Sequence, residues 1–568
     1  MLTAPIGMDD FRKLRELTKK GKRSKYYVDK TLFIQDFLDF QEEVTLITRP
    51  RRFGKTLNMT MLRDFLDCNQ DSLAIFEDLA IMDTEYANKI NTIPVIYLTF
   101  KDCEDDTESS MIKSIGEKMF WAYDTFIDYF DEATVDKNRS IYKRIYRIHS
   151  KLENLEDEEF TDDSLQSMKD LLKNSLKILI KALHTFYNIR PLIIIDEYDQ
   201  PIIIAHEHGF RKSMTNLFGS MYGRALKGNP DVGQAILTGI QRVAKESIFS
   251  RLNNPSVYTV INDRYSQYFG LSEIEVKQLL HDFNIQTPLS DVKSFYDGYV
   301  FGKSHHMYNP WSLLSFVERQ ELESHWINTS TNLLIRDLIL NASDLFTRTF
   351  DKLLTYEEVL VSVNLSASFL ELEEQSTLWG LLVNAGYLTV SENIDMHLRK
   401  VRIPNHEVRS EFVNIIAQRT KADVEILLNM VSALRTSNME LFLENYQYLV
   451  DWYTSFRHQD EASYQSFLLG LLVTATGMYE VTTEQEAGDG LPDVVMKSKY
   501  PDLRPHLIIE LKTLKEGEQM DTKIEKAVNQ ISKKRYDAKL VGDILHVGLV
   551  HDGKKCALKF KDVYKKEV

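Results

Sequence analysis

Two parts of this 568-residue chain combine residue types and spacing suited to chemistry on phosphates. In the first, Arg49-Pro-Arg-Arg-Phe-Gly-Lys-Thr56 follows the apolar run Val44 to Ile47 and opens a stretch, Lys55 to Cys68, that carries Leu57, Met61, Leu62 and Phe65 at helical spacing. Strand, turn and helix in that order put backbone N–H groups at a helix N-terminus, where they cradle phosphate oxygens. Lys55 then reaches the β and γ phosphates of ATP and Thr56 ligates Mg²⁺, with Arg49, Pro50, Arg51, Arg52, Phe53, Gly54 and Leu57 completing the loop. The usual phosphate loop has Gly where this chain has Arg49. A second apolar run, Pro191 to Ile195, ends in Asp196-Glu197, one carboxylate to hold Mg²⁺ through water and one to activate a water. Thr238 is placed to orient that water or the γ-phosphate, and Arg242 or Arg251 to neutralise transition-state charge.

The second part is Leu491-Pro-Asp493 followed by Ile508-Ile-Glu510-Leu-Lys512. Side chains two apart on a strand share a face, so Glu510 and Lys512 point the same way while Asp493 arrives from a neighbouring strand. Two carboxylates and a backbone carbonyl form a hard oxygen cage for Mg²⁺ or Mn²⁺, and the Lys512 ammonium positions and acidifies the attacking water. That is the chemistry of phosphodiester hydrolysis. Lys533-Lys-Arg535 and the basic C-terminal tail are candidates to hold the phosphate backbone of a nucleic acid.

Four short apolar runs, Val44 to Ile47, Ile93 to Phe100, Leu192 to Ile195 and Ala235 to Leu237, alternate with helical sequence and predict an α/β domain with a parallel sheet over residues 41–265, after a lead-in over 1–40. Residues 105–187 read as a helical insert, mobile around the acidic Glu153 to Asp163. Residues 266–430 read as a helical lid ending in a winged-helix-like module: a helix (Thr377 to Tyr387), a polar-tipped hairpin (Leu388 to Val401) and a helix (His406 to Gln418). Packing against an ATPase core is the expected role of that module, ahead of reading DNA. Residues 431–568 return to α/β with a mixed sheet. His305-His306 and His406 have no acidic or Cys partners at ligand spacing, so no metal cluster is expected there.

Apolar residues at 43%, charged residues at 27%, 23 Gly and 13 Pro describe folded rather than disordered or fibrous chain. No apolar run approaches the roughly 20 residues that cross a bilayer, and residues 1–11 lack a signal pattern. Cys68, Cys103 and Cys556 have no paired spacing, which fits a reducing cytoplasm. The net charge of −15 argues against nucleic acid in general, but residues 500–568 hold 15 Lys and Arg against 11 Asp and Glu, a local +4.

Tyr26-Tyr-Val-Asp-Lys30, RPRRFGKTL from Arg49, IIIDEYDQPI from Ile193, LTGIQRVAKESIFSRLNN from Leu237, YFGLSEIEV from Tyr268, YDGYVFG from Tyr296 and YNPWSLL from Tyr308 resemble the AAA-ATPase-like family that is commonly fused to a PD-(D/E)XK nuclease domain. The resemblance implies a P-loop ATPase domain, a helical and winged-helix-like middle region, and a C-terminal restriction-endonuclease-like domain with a mixed sheet. It also accounts for Arg49, because relatives carry the same Arg-Pro-Arg-Arg run. Where relatives have Gly this chain has Arg251, which leaves Arg242 the better candidate. The resemblance adds Glu461 as a further metal ligand, places Gln530 and Tyr536 at a Gln-Ile and Lys-x-Tyr signature, and assigns residues 12–27 to the entrance of the nucleotide site. The expected protein is an ATP-dependent or ATP-regulated nuclease, DNA ahead of RNA as substrate, suited to defence or a mobile element, with a homo-oligomer allowed. The rival expectation is a nucleotide-dependent scaffold whose C-terminal domain binds nucleic acid or protein without cutting.

Overall fold

The computed structural model describes residues 2–565 except 20–23, 131–138, 156–158, 243–254, 327–337, 340–341, 344–345, 347–348, 351–352, 354–357, 366–374, 420–423, 454–460, 473–478, 483–486, 500, 502–503 and 516. Its contacts divide the chain into two compact units, Met1–Trp326 with Val361–Arg399, and Ile327–Leu360 with Lys400–Val568. Arg251 and part of the acidic segment, 156–158, lie outside the described residues.

In the first unit β1 (Val44–Thr48), α1 (Lys55–Leu66), β2 (Val95–Thr99), β3 (Leu192–Asp196), β4 (Gln234–Gly239) and β5 (Ser256–Tyr258) build a five-stranded sheet in the order β2-β3-β4-β1-β5. Every pairing is parallel. All five residues of β1 and of β3 are buried, as continuous apolar runs demand when helices cover both faces of a sheet. The register pairs Thr99 with Asp196, Ile195 with Leu237, and Thr48 with Gly239, so the carboxyl ends of β2, β3, β4 and β1 share one edge. Ligands of open parallel sheets bind at that edge. The insert is helical as expected: α2 (Glu108–Ile127), α3 (Arg139–Glu153) and α4 (Asp162–Tyr187), the last started by a reciprocal cap between Thr161 and Ser164. Its buried Ile115, Met119, Ile145 and Leu176 join the core that includes Ile195 and Leu237 of the sheet.

Past the sheet, β6 (Leu271–Ser272), α5 (Glu273–Asp282), α6 (Leu289–Tyr296), β7 (Tyr299–Phe301), β8 (Ser304–Tyr308) and α7 (Pro310–Arg319) form a small lid around an antiparallel sheet ordered β6-β8-β7. A helix, a hairpin and a helix follow in chain order: α8 (Gln375–Ala385), β9 (Thr389–Asn393), β10 (Leu398–Arg402) and α9 (His406–Arg419). The hairpin tip departs from the polar tip expected, because Ile394 and Met396 stand 47% and 83% exposed.

The second unit carries α10 (Val424–Arg435), α11 (Met439–Tyr453), α12 (Glu461–Leu472), β11 (Tyr479–Thr482), β12 (Val494–Ser498), β13 (His506–Thr513), α13 (Met520–Lys533), β14 (Gly542–Asp552) and β15 (Lys555–Lys565). Strands β11 to β15 form a mixed sheet in chain order, in which only the β13–β14 pair is parallel. Alternation sorts β13 cleanly: Leu507, Ile509 and Leu511 join the core made with α10 to α12, while Ile508 packs with Ile531, Tyr536 and Leu540. The basic C-terminal stretch, read from sequence as a tail, is instead the edge strand β15, paired with β14 from Asp552–Lys555 to Gly542–Lys565. Its lysines alternate with Cys556 and Leu558, which pack on the core, so a strand period was present beneath the charge.

Candidate active sites

The carboxyl edge of the first sheet brings Thr56, Asp196 and Thr238 together. Asp196, wholly buried at the end of β3, accepts hydrogen bonds from Thr56 Oγ1 at 2.8 Å and from Thr238 Oγ1 at 2.6 Å. Burial, and then the neighbouring Glu197 charge, push its carboxyl up to about 6. Lys55 Nζ lies 3.3 Å from the carbonyls of Arg49 and Pro50 and 3.4 Å from Glu197 Oε1. Glu197 holds a left-handed backbone, φ +50°, and its buried Oε2 has no hydrogen-bond partner. A hydroxyl, a buried carboxylate and an unpartnered carboxylate oxygen suit a hard cation, so Thr56 and Asp196 fit Mg²⁺.

Most other side chains of the loop are engaged within the protein. Arg49 is fully buried; it donates to the carbonyls of Thr48 and Tyr258 and lies 5.3 Å and 5.4 Å from the rings of Phe269 and Phe301. With no carboxylate beside it, burial draws its guanidinium down to about 9. Arg51 donates to Gln200 Oε1, Arg52 stacks 3.9 Å over Trp311 and donates to the His325 carbonyl, and Phe53 meets Tyr299 and Phe301 edge-on or tilted. Pro50 lies against Gly386. The run thus ties the loop to the lid, with Gly54 and Leu57 lining the cleft beside it.

Sequence reasoning missed Asp199, three residues past Asp196. Its Oδ2 accepts from the N–H groups of Ile240 and Gln241 at 2.9 Å and 2.8 Å, and Tyr198 Oη donates to the Gln241 carbonyl at 2.5 Å. These bonds fix the chain between Thr238 and the half-buried Arg242. The available signal was a further acid in Asp196-Glu-Tyr-Asp199, with no way to see what it would grip.

In the second unit β12, β13, α12 and α13 converge. Glu510 is 1% exposed; Lys512 Nζ stands 2.8 Å from its Oε1 and 3.2 Å from Glu461 Oε1, and Gln530 Nε2 donates to the same Glu510 oxygen. Asp493, just before β12, accepts from the Leu511 N–H at 2.7 Å. Burial, then the Asp493 charge, push Glu510 up to about 7. Its Oε2 is buried without a partner. All five residues assigned to this site from sequence are therefore neighbours. Tyr536, which receives a bond from Gln530, sits under the turn at Gly490. That turn docks on the end of α13 through Asp489 N–H to the Lys534 carbonyl at 2.7 Å, which places Lys533 to Arg535 beside the loop leading to Asp493. Two carboxylates, an orphaned oxygen and a flanking ammonium fit a divalent cation here as well.

Residues 5–249 match the family described as predicted AAA-ATPase, and residues 459–561 match the PD-(D/E)XK nuclease superfamily. The chain joins an AAA-ATPase-like domain to a PD-(D/E)XK nuclease domain. An uncharacterised protein from the vnfD 5′ region of Azotobacter chroococcum is 26% identical over 423 residues, 72% of this chain and 68% of that protein. A Walker-type ATPase of Pyrococcus abyssi superposes with a TM-score of 0.35 at 12% identity, over 68% of this chain and 95% of its own. The nuclease match begins two residues before Glu461, so α12 belongs to that domain, while buried Met430, Phe442 and Tyr446 of α10 and α11 extend its core.

His306 has acidic partners in space: its Nδ1 is 2.7 Å from Asp297 Oδ2, and Glu273 lies in the same group. Asp297 follows α6 and Glu273 opens α5, too distant in sequence for ligand spacing to show them. Glu273 is already paired with Lys277 and Lys293. Among the described residues no helix is long and apolar enough to cross a membrane. The three cysteines are unpaired thiols.

Proposed function

We propose that the protein is a divalent-metal-dependent nuclease whose cutting is governed by ATP bound in the ATPase-like domain. The observation that carries the nuclease half is Glu510: a buried carboxylate with one orphaned oxygen, held beside Asp493 and Lys512 on a rigid strand, is costly to maintain unless a cation and a phosphate occupy the site. Asp493 and Glu510, with Glu461, are the residues that would hold Mg²⁺ or Mn²⁺, which when bound supplies charge neutralisation at the scissile phosphate. Lys512 stabilises the developing charge and orients water, and Gln530 keeps Glu510 in place. Lys533 to Arg535 border the site and favour a polyanion, DNA ahead of RNA.

The ATP half rests on the meeting of Lys55, Thr56, Asp196, Glu197 and Thr238 at one sheet edge. Control of one site by the other is supported by the course of the chain, which passes between the two units three times, at residues 326/327, 360/361 and 399/400. Defence against foreign nucleic acid or service to a mobile element, in the cytoplasm, suits such a device. The test is cleavage of labelled single- and double-stranded DNA and RNA by the full chain with and without Mn²⁺, in the apo, ADP and ATP states. Cutting that needs the metal and changes with nucleotide is expected. Equal rates in all three states refute ATP control, and no cutting of any substrate leaves the scaffold as the better account.

A further inference from the structure

Helix α3 turns its apolar side inward: Ile141, Tyr142, Ile145, Ile148 and Leu152 are buried in the core of the first unit. Its outer side is basic. Lys143, Arg144, Arg147 and Lys151 are all exposed. At about 3.6 residues per turn they fall within an arc of about 100°, in a row about 12 Å long. No acid stands between Arg139 and Lys151, and Glu153, the last residue, is two positions past Lys151, a spacing at which helix side chains do not face each other. Among the described residues none of the four cations has an ion-pair or hydrogen-bond partner. Lys143, Arg147 and Lys151 repeat at every fourth position, where like charges destabilise a helix. A chain of net charge −15 has acids in excess and places none against this row. On the neighbouring α4 it does: Lys169 pairs with Glu108 and Lys173 with Asp170, each at 2.7 Å.

We infer that this face of α3 is a second holding surface for nucleic acid, carried by the ATPase-like unit and directed at the phosphate backbone. The inference rests on nucleic acid being the partner of this chain, cut or only held, and adds where the first unit grips it. Uncompensated Lys and Arg side chains gain by taking the place of the counterions condensed on a polyanion, even on a protein of net negative charge. A duplex carries one charge per about 1.7 Å of its axis, so a row of about 12 Å spans about seven phosphates, enough for each of the four cations to meet one. Contacts to phosphates fix position without reading bases, so this surface should hold duplexes of unrelated sequence alike. An anionic membrane is the poorer occupant. A helix that lies in a membrane surface inserts its apolar face, and the apolar face of α3 is buried in the core.

The test is equilibrium binding of a labelled DNA duplex across a salt series, in a chelator that prevents cutting. The full chain is compared with the triple variant Lys143→Ala, Arg147→Ala, Lys151→Ala. A control of equal charge change, Lys89→Ala, Lys212→Ala, Lys227→Ala, removes three exposed lysines scattered over the first unit. At about 0.1 M salt the α3 variant is expected to lose about tenfold or more in affinity, and its slope of log K against log salt to flatten by about 2.7, from about 0.9 for each of three phosphate contacts. The control should bind as the parent does. The α3 variant should melt no lower than the parent, since the three residues are exposed and like charges are relieved; if it melts lower, Gln at the same three positions carries the same test. An α3 variant that binds like the parent, or a control that loses as much, overturns this surface and leaves the nuclease reading standing. If poly-glutamate of equal charge displaces the duplex as well as unlabelled duplex does, an acidic protein is the better occupant and the assignment to nucleic acid is overturned. A parent that binds DNA through α3 yet cuts nothing in Mn²⁺ supports the surface and sinks the nuclease.

Discussion

Glu510→Gln should make the nuclease domain more stable at about pH 8 while removing its metal binding. Burial and Asp493 raise the Glu510 carboxyl from its ordinary 4.5 to about 7, so above that pH the native state holds a charge it disfavours. At about 1.4 kcal/mol per tenfold change in proton affinity the gap corresponds to at most about 3.4 kcal/mol. Glu461 beside it is 43% exposed, and water screening through that side brings the figure to about 2 kcal/mol. The folded value lies above the unfolded one, so the native state binds more protons between the two and stability falls as pH rises through this window. Below about pH 4.5 both states are protonated and the penalty is absent; above about pH 7 it is complete. Gln at 510 keeps the shape, still accepts from Gln530, and leaves Lys512 with Glu461. Thermal unfolding in a chelator should therefore show the variant melting about 4 °C or more above the parent at about pH 8, with the gap closing near pH 4.5. Adding Mn²⁺ at the higher pH should raise the parent's melting temperature and leave the variant's unchanged. A variant less stable than the parent at about pH 8, or a difference that ignores pH, would refute the reasoning.

Glu197→Gln should keep ATP affinity and slow hydrolysis by a hundredfold or more, roughly the loss expected on removing a group that positions and deprotonates water; single-turnover hydrolysis at the parent's rate would show another base. Gly239→Ala should abolish ATP hydrolysis, because a Cβ there would stand 2.3 Å from Asp199 Oδ1 and push it off the Ile240 and Gln241 amides. Losing two such bonds costs about 2 kcal/mol, readable by denaturant unfolding, and metal binding at the nuclease site should survive. Gly488→Ala should do the reverse: at φ +57° its Cβ would meet the carbonyl oxygens of Arg535 and Lys534 at 2.2 Å and 2.3 Å, displacing the turn that leads to Asp493. Cutting should fall sharply with about 2–4 kcal/mol lost from the nuclease domain, and nucleotide binding measured by calorimetry should be unchanged.

Much of this protein is decided within short stretches of its sequence. The runs around Leu46 and Ile194 are apolar at nearly every position, which only a strand buried on both faces tolerates, and the residues closing them, Thr48 and Asp196, had to fall at a sheet edge. The two-residue period of β13 sends Glu510 and Lys512 to the face opposite Leu507, Ile509 and Leu511, which belong to the core, so half of the nuclease site was legible in that one strand. The same local logic failed where charge masked a period, as in β15.

Only the tertiary structure could decide which groups meet across long separations. Asp199 grips amides some 40 residues away, Asn58 is turned by a carbonyl 210 residues on, and Arg49 is buried among aromatic rings of the lid region. Periodicity and spacing report which face a side chain takes on its own element; they carry no information on what another element places against that face. The raised carboxyls of Asp196 and Glu510 belong to this second class, because burial and a neighbouring charge are properties of the packed molecule and not of the residues that titrate.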